Sequence, residues 1–455
     1  MADYLPHTID DVSAMLAFLG MNSLDDLFAH IPAAIRLTGG LDVADGMSEP
    51  DVAAIFAGYT AANRAKTTVM TCFAGGGAYD HEVPAVVKAL ANRSEFVTAY
   101  TPYQPEVAQG VLQAIFEYQT LVSRLSGLPI PNASLYDAAT ALVEALNMAH
   151  GATGRSKMVI SSGIHPHWRQ VARTFARGTG HEIVEVPLRD GVTDWSSVDT
   201  SNAAAVVAAY PNYLGVLEDL SSAKALAVEH GALFVVGADP VAAGVLKTAG
   251  QWGADVFVGE GQAFGTALSF GGPYLGLFAC TEVLVRRLPG RIVGETVDSS
   301  GRRAFVTTLR AREQDIRREK ATSNVCTNQT LMAVTAAIQL GWLGTYGLRE
   351  IATRCAQGAH YLYDQLVRLD GVAPVSTQPF FREFALRLSK PASEVISFMA
   401  DRDVLAGLAV AALSAGADPS VELDIDRVLL VTVTERRTKD EIDHYVKSLR
   451  EALSR

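Results

Sequence analysis

Between about residues 66 and 320, short apolar runs alternate with stretches of helical periodicity, and no other feature constrains the fold as much. Residues 157–160 read as a strand ending at Ser161-Ser162-Gly163, and 182–186, 203–209, 232–236 and 256–258 read as further strands. Helical patterns lie between them at 167–178 and 222–231, the second closed by Gly231 at a C-cap position. This alternation predicts an α/β domain on a mainly parallel sheet. Ligands of such sheets sit beyond the carboxyl ends of the strands.

The flanks differ. Thr8-Ile9-Asp10-Asp11 is a capping-box-like start followed by Val12, Met15, Leu16 and Leu19 at helical spacing. Pro32 opens a second short helix and Pro50 a third. Towards the other end a long helix comes first, then strands around 380–388 and 427–433. Thr438-Lys439-Asp440-Glu441 is a capping box before a last amphipathic helix. The expected organisation is an N-terminal helical arm (1–65), a large mainly parallel-sheet domain (66–325) and a smaller α+β domain (326–455).

Composition excludes several classes. A net charge of −11 argues against a nucleic-acid partner and suits a soluble enzyme. Cys72, Cys280, Cys326 and Cys355 form no C-x-x-C, which reads as free thiols in a reducing cytoplasm with no metal site. The first residues show no signal peptide. Residues 321–348 carry no charge, yet polar residues fill the first third and Gln339 interrupts the rest. The apolar part falls short of the roughly 20 residues a bilayer span needs, so a buried helix joining two domains is expected, with no membrane partner.

Glycine clusters give little. Gly75-Gly76-Gly77 follows a possible strand at 69–73, and Gly259-Glu260-Gly261 follows another. Phe264 stands where G-x-G-x-x-G needs glycine, and no P-loop occurs, so a nicotinamide oxidoreductase is disfavoured. Asn132-Ala133-Ser134-Leu135-Tyr136-Asp137 feeds a helical run at 138–150. Such a helix start suits a phosphate, although Ser134 or Asp137 as a plain N-cap explains it as well.

His165, Asn212 and Asp239 fall at carboxyl ends of the expected strands. Each could belong to a simple turn. Together they offer a ring-stacking imidazole and an acid for a pyridinium nitrogen, which is what pyridoxal phosphate asks of a protein. That chemistry also needs a lysine amine, which in enzymes of this architecture follows the Asp by about two dozen residues, just past a further strand. The slot holds Gln262 and Ala263, and no lysine occurs from Thr248 to Glu319.

Longer motifs now matter. Residues 99–106 (Ala-Tyr-Thr-Pro-Tyr-Gln-Pro-Glu) with Gln109-Gly110, residues 132–137, residues 289–294 (Pro-Gly-Arg-Ile-Val-Gly) and residues 312–324, from Arg312 to Asn324, resemble the glycine cleavage system P-protein family. The resemblance runs from the arm to the last helix, and it is to the N-terminal half, called subunit 1 or alpha. It implies an aminotransferase-like pyridoxal phosphate fold type I with active sites at dimer interfaces. It implies a heterotetramer in which subunit 2 (beta) holds the cofactor covalently. The complex would decarboxylate glycine and pass the aminomethyl group to the lipoyl arm of the H-protein.

On this reading Ser134, His165, Asn212 and Asp239 are vestigial cofactor contacts, and this chain bears no Schiff-base lysine. Tyr100, Thr101, Tyr103 and Gln104, in a Pro-stiffened loop, are candidates to complete the partner's site. Thr322 and Asn324 are candidates to reach across the interface. The stretch 302–320 holds seven basic and three acidic residues and reads either as a docking patch or as a solvated helix face with internal ion pairs. The alternative for the whole chain is an inert scaffold of the same fold.

Overall fold

The computed structural model describes residues 6–37, 39, 41–63, 70–97, 102–269, 271–410 and 425–455. The chain divides into two compact units, Met1–Asn63 and Arg64–Arg455.

The first unit contains α1 (Ile9–Leu19) and α2 (Glu49–Ala62). Thr8 starts α1 with a capping box, Gly20 ends it in the left-handed conformation, and Ser48 caps α2 with Pro50 in its first turn. The expected helix after Pro32 is a three-residue 3-10 turn, Ala33–Ile35. No described residue of this unit is buried.

In the second unit, α3 (Gln109–Ser126) leads to β1 (Ile130–Pro131), α4 (Ala138–Thr153), β2 (Lys157–Ser161), α5 (Pro166–Thr179), β3 (Glu182–Val186) and β4 (Ala203–Tyr210). Then follow α6 (Ser221–Glu229), β5 (Leu233–Ala238), β6 (Val256–Glu260) and β7 (Gly276–Cys280). The strands form one sheet in the order β1-β7-β6-β5-β4-β2-β3. β2 to β6 run parallel, while β7 is antiparallel to β6 and to β1.

Central β4 is Ala-Ala-Ala-Val-Val-Ala-Ala-Tyr and buried throughout. A strand covered on both faces reads as a continuous apolar run rather than an alternation. Val206 and Ala208 face the core under α3 and α6, and Ala205 and Val207 face the core under α4. Leu142 and Leu146 of α4 are almost fully buried, so truncating either to Ala costs about 2–5 kcal/mol.

The possible strand at 69–73 is Thr71–Cys72 among the described residues, paired with Val404–Leu405. The stretch 302–320 is not a helix face. It opens with the hairpin of β8 (Val293–Val297) and β9 (Arg303–Thr307) and continues in short turns. Arg302, Arg303 and Arg310 pair with Asp298, Glu295 and Asp315.

The long helix α7 (Thr330–Leu366) joins the two sheets and is interrupted at Gly344. By length and composition it could cross a membrane. Its inner face, however, packs into both cores through Ala333, Leu340, Cys355 and Leu362. The second sheet is antiparallel and comprises β10 (Val372–Pro374), β11 (Glu383–Leu388), β12 (Leu408–Ala409) and β13 (Val428–Thr432), in the order β10-β11-β13-β12. α8 (Lys439–Ser454), started by the Thr438 capping box, covers it.

Candidate functional site

A pocket of about 600 Å³ opens at the carboxyl ends of β2, β4, β5 and β6, and β11 of the second sheet closes one side. His165, Asn212, Asp239, Gln262 and Ala263 line it together. Ser134 is not among its lining residues. Ser134 is fully buried at a φ of 113°, and its hydroxyl accepts from the Gln329 amide at 3.2 Å. Asp137, rather than Ser134, caps α4.

Each sequence-expected group in the pocket already has a partner. His165 Nε2 donates to the Gly76 carbonyl at 2.6 Å, and its Nδ1 accepts from the His167 amide. Burial holds this ring down at about 4 against the pull of the Gly76 bond. It stacks on Trp168, with ring centroids 5.9 Å apart, and meets Tyr213 edge-on at 5.1 Å. Asn212 donates to the Gly191 carbonyl and Glu218 and accepts from the Leu214 and Val216 amides. Its amide is saturated.

Asp239 sits just past β5. Its Oδ2 pairs with Arg382 Nη2 at 2.7 Å, and Oδ1 accepts from the Val241 amide. Arg382 is 2% exposed and its guanidinium lies 3.7 Å from the centre of the Tyr79 ring. Burial alone would lower its pKa, but Asp239, Tyr79, Cys355 and Glu383 together outweigh that and raise it. Its Nη1 meets His81 Nε2, and His81 Nδ1 is 2.6 Å from Glu435. His81, Cys355 and Glu435 offer ligand atoms within 4.8 Å of one another, but this hydrogen bond and the neighbouring guanidinium satisfy the imidazole without an ion.

The slot for an amine is sealed. Gln262 Oε1 accepts from the Tyr79 amide at 2.8 Å, and Nε2 donates to the carbonyls of Tyr79 and Thr266. Glu260 ends β6, where its Oε2 accepts from the Ala138 amide and its Oε1 from Gln262 and Leu275. Burial pushes the Glu260 carboxyl up to about 8 despite these donors. Burial also raises Glu383, although Thr432, Gly76 and Tyr79 donate to it. The pocket therefore does not fit covalently held pyridoxal phosphate: it offers no amine, and its pyridinium acid is taken.

The other described candidates do not line this pocket. Tyr100 and Thr101 fall outside the described residues. Tyr103 is sandwiched by Arg291 and Arg310, 4.6 and 5.5 Å from its ring centre, and its hydroxyl meets Arg291 Nη2. Gln104 and Asn324 are exposed. Thr322 lines a smaller cleft of about 260 Å³ with Arg286, Arg287 and Arg312. Burial and the nearby Arg291 lower Arg312 to about 10.

Sequence reasoning missed Tyr79, Glu260, Arg382 and Glu383. A signal was available: Glu260 ends the apolar run Val256-Phe257-Val258, and Arg382-Glu383 interrupts Phe380-Phe381 and Phe384-Ala385-Leu386. Ionisable residues inside buried strands demand partners and mark a site.

Comparisons with known proteins give the family. Two curated relatives named probable glycine dehydrogenase (decarboxylating) subunit 1, from Chlorobium chlorochromatii and Geobacillus kaustophilus, are each 44% identical, and each alignment covers 98% of both chains. A crystal structure of glycine decarboxylase (P-protein) of the glycine cleavage system, in inhibitor-bound form, is 43% identical with a TM-score of 0.89, over 99% of this chain and all of that one. Sphingosine-1-phosphate lyase of Burkholderia pseudomallei shares the fold alone, at 15% identity and a TM-score of 0.64 over 92% and 93% of the two chains. The aminotransferase-like fold type I expected from the sequence is the fold found. The glycine cleavage system P-protein pattern matches residues 2–449, and the chain belongs to that family.

Proposed function

We propose that this chain is the subunit without the reacting amine in a pyridoxal-phosphate-dependent glycine dehydrogenase (decarboxylating). One observation carries the reading: the chain keeps the family's length and fold, while its own cofactor pocket holds Gln262 and Ala263 in the amine slot and commits Asp239 to Arg382. The partner, subunit 2, supplies the lysine and holds the cofactor covalently. When bound there, the cofactor withdraws electrons as the carboxyl group of glycine leaves, and the aminomethyl group passes to the lipoyl arm of the H-protein.

This chain contributes surface and positioning. Tyr103, held between Arg291 and Arg310, is rigid enough to present an aromatic edge and a hydroxyl at an interface. Tyr100, Thr101 and Gln104 neighbour it in the sequence, and Thr322, two residues before Asn324, supplies a polar group in the cleft with Arg312. A cytoplasmic heterotetramer of two copies of each subunit is the assembly proposed. Reconstitution tests the reading: the two subunits together should decarboxylate glycine, and neither alone should. Full activity of subunit 2 by itself would leave this chain as a scaffold.

A further inference from the structure

The pocket keeps the outline of a cofactor site but lacks its amine, and one charged group inside it has unusual surroundings. Arg382 is a buried cation lining the pocket, 2% exposed. Its guanidinium faces Asp239 at 2.7 Å and lies over the Tyr79 ring, 3.7 Å from its centre. A flat, delocalised cation that hydrogen-bonds a buried acid and stacks on a ring has the shape and charge of a protonated pyridine.

We infer that Arg382 is a built-in substitute for the pyridinium end of the missing cofactor. It takes the Asp239 carboxylate that a bound ring would need, so the pocket is closed to pyridoxal phosphate by a committed acid as well as by the missing lysine. This inference rests on the proposed function and sharpens it: restoring the amine alone does not restore the site. The substitution has a mechanical use. Asp239 follows β5 of the large sheet, and Arg382 precedes β11 of the second sheet, so the pair ties the two sheets across the pocket. Leaving either partner alone in so dry a place is far worse than removing both.

The test uses the complex with subunit 2. Three forms of this chain are compared: wild type, Ala263→Lys, and Ala263→Lys with Arg382→Ala. Each complex is incubated with pyridoxal phosphate and borohydride, and labelled peptides are mapped to the two chains. Label on this chain is expected only after Arg382 is also removed, and label in the single Ala263→Lys variant overturns the inference. If neither variant is labelled, a thermal-melting cycle decides. Arg382→Met should lower the melting temperature of the complex by several degrees, and Arg382→Met with Asp239→Leu should recover most of that loss. Additive losses would show that Arg382 is not the counter-charge of Asp239, and would overturn the inference while leaving the subunit assignment intact.

Discussion

His81 and Glu435 meet at 2.6 Å across the wall between the long helix and the second sheet, and the far side of the imidazole meets Arg382. Because Nε2 accepts from the guanidinium, the ring hydrogen sits on Nδ1 and points at the carboxylate. Burial opposes the Glu435 charge, but the interactions with His81 and the Glu82 amide together outweigh it and hold the group at about 2, below its usual 4.5. A carboxyl depressed in the fold adds stability above its unfolded value and loses it as pH falls through the folded value. Glu435→Gln is therefore expected to cost about 1–3 kcal/mol at neutral pH and much less near pH 2–3. Denaturant melts at several pH values check this; an equal cost at both ends would count against it.

Glu260 gives the opposite slope. Burial holds it near 8 in the fold, so the folded chain keeps a proton that the unfolded chain has lost above about 4.5. Stability from this group is full below 4.5 and declines as pH rises through 8. His165, held at about 4, is uncharged in both states above about pH 7 and does not blur that window. The wild-type complex is expected to lose stability between pH 7 and 8.5, and Glu260→Gln should flatten that loss. Parallel curves for the two proteins would refute the assignment.

Gly215 has a φ of 86°, and a Cβ built on it would overlap the Glu383 carbonyl. The large domain's loop and the second sheet touch there backbone to backbone. Gly215→Ala combines left-handed strain with a steric clash, so a loss of about 3 kcal/mol or more is expected, visible as poor soluble yield or a much lower melting temperature. Gly154, at a φ of 70° with open space around it, is the control: Gly154→Ala should cost only about 1 kcal/mol.

Tyr103→Phe removes the hydroxyl that meets Arg291 but keeps the ring under both guanidiniums. Assembly with subunit 2 should survive, and glycine decarboxylation by the complex should slow by roughly tenfold, the value of one hydrogen bond near 1.4 kcal/mol. Unchanged steady-state kinetics would remove Tyr103 from the partner's site.

Much of the fold was legible because its strands are apolar throughout and its helices carry clean caps, as Thr438 and Gly231 show. The convergence of His165, Asn212 and Asp239 was legible too, since the carboxyl end of a parallel sheet gathers whatever follows each strand. Arg382 was not. It is 143 residues from Asp239 in the chain (382 less 239), and nothing local to either residue announces the other. Ser134 looked like a ligand because a polar residue before a helix has two uses, and tertiary packing against Gln329 decided between them.

The first unit, Met1–Asn63, has capped helices but no buried described residue, and Phe18 and Ile9 stand 91% and 85% exposed. A helix of this length gains little from its own backbone and owes most of its persistence to a surface it can cover. Left uncovered, that apolar ribbon is what chaperones and proteases recognise, so the lifetime of the chain depends on how its first unit is kept from water.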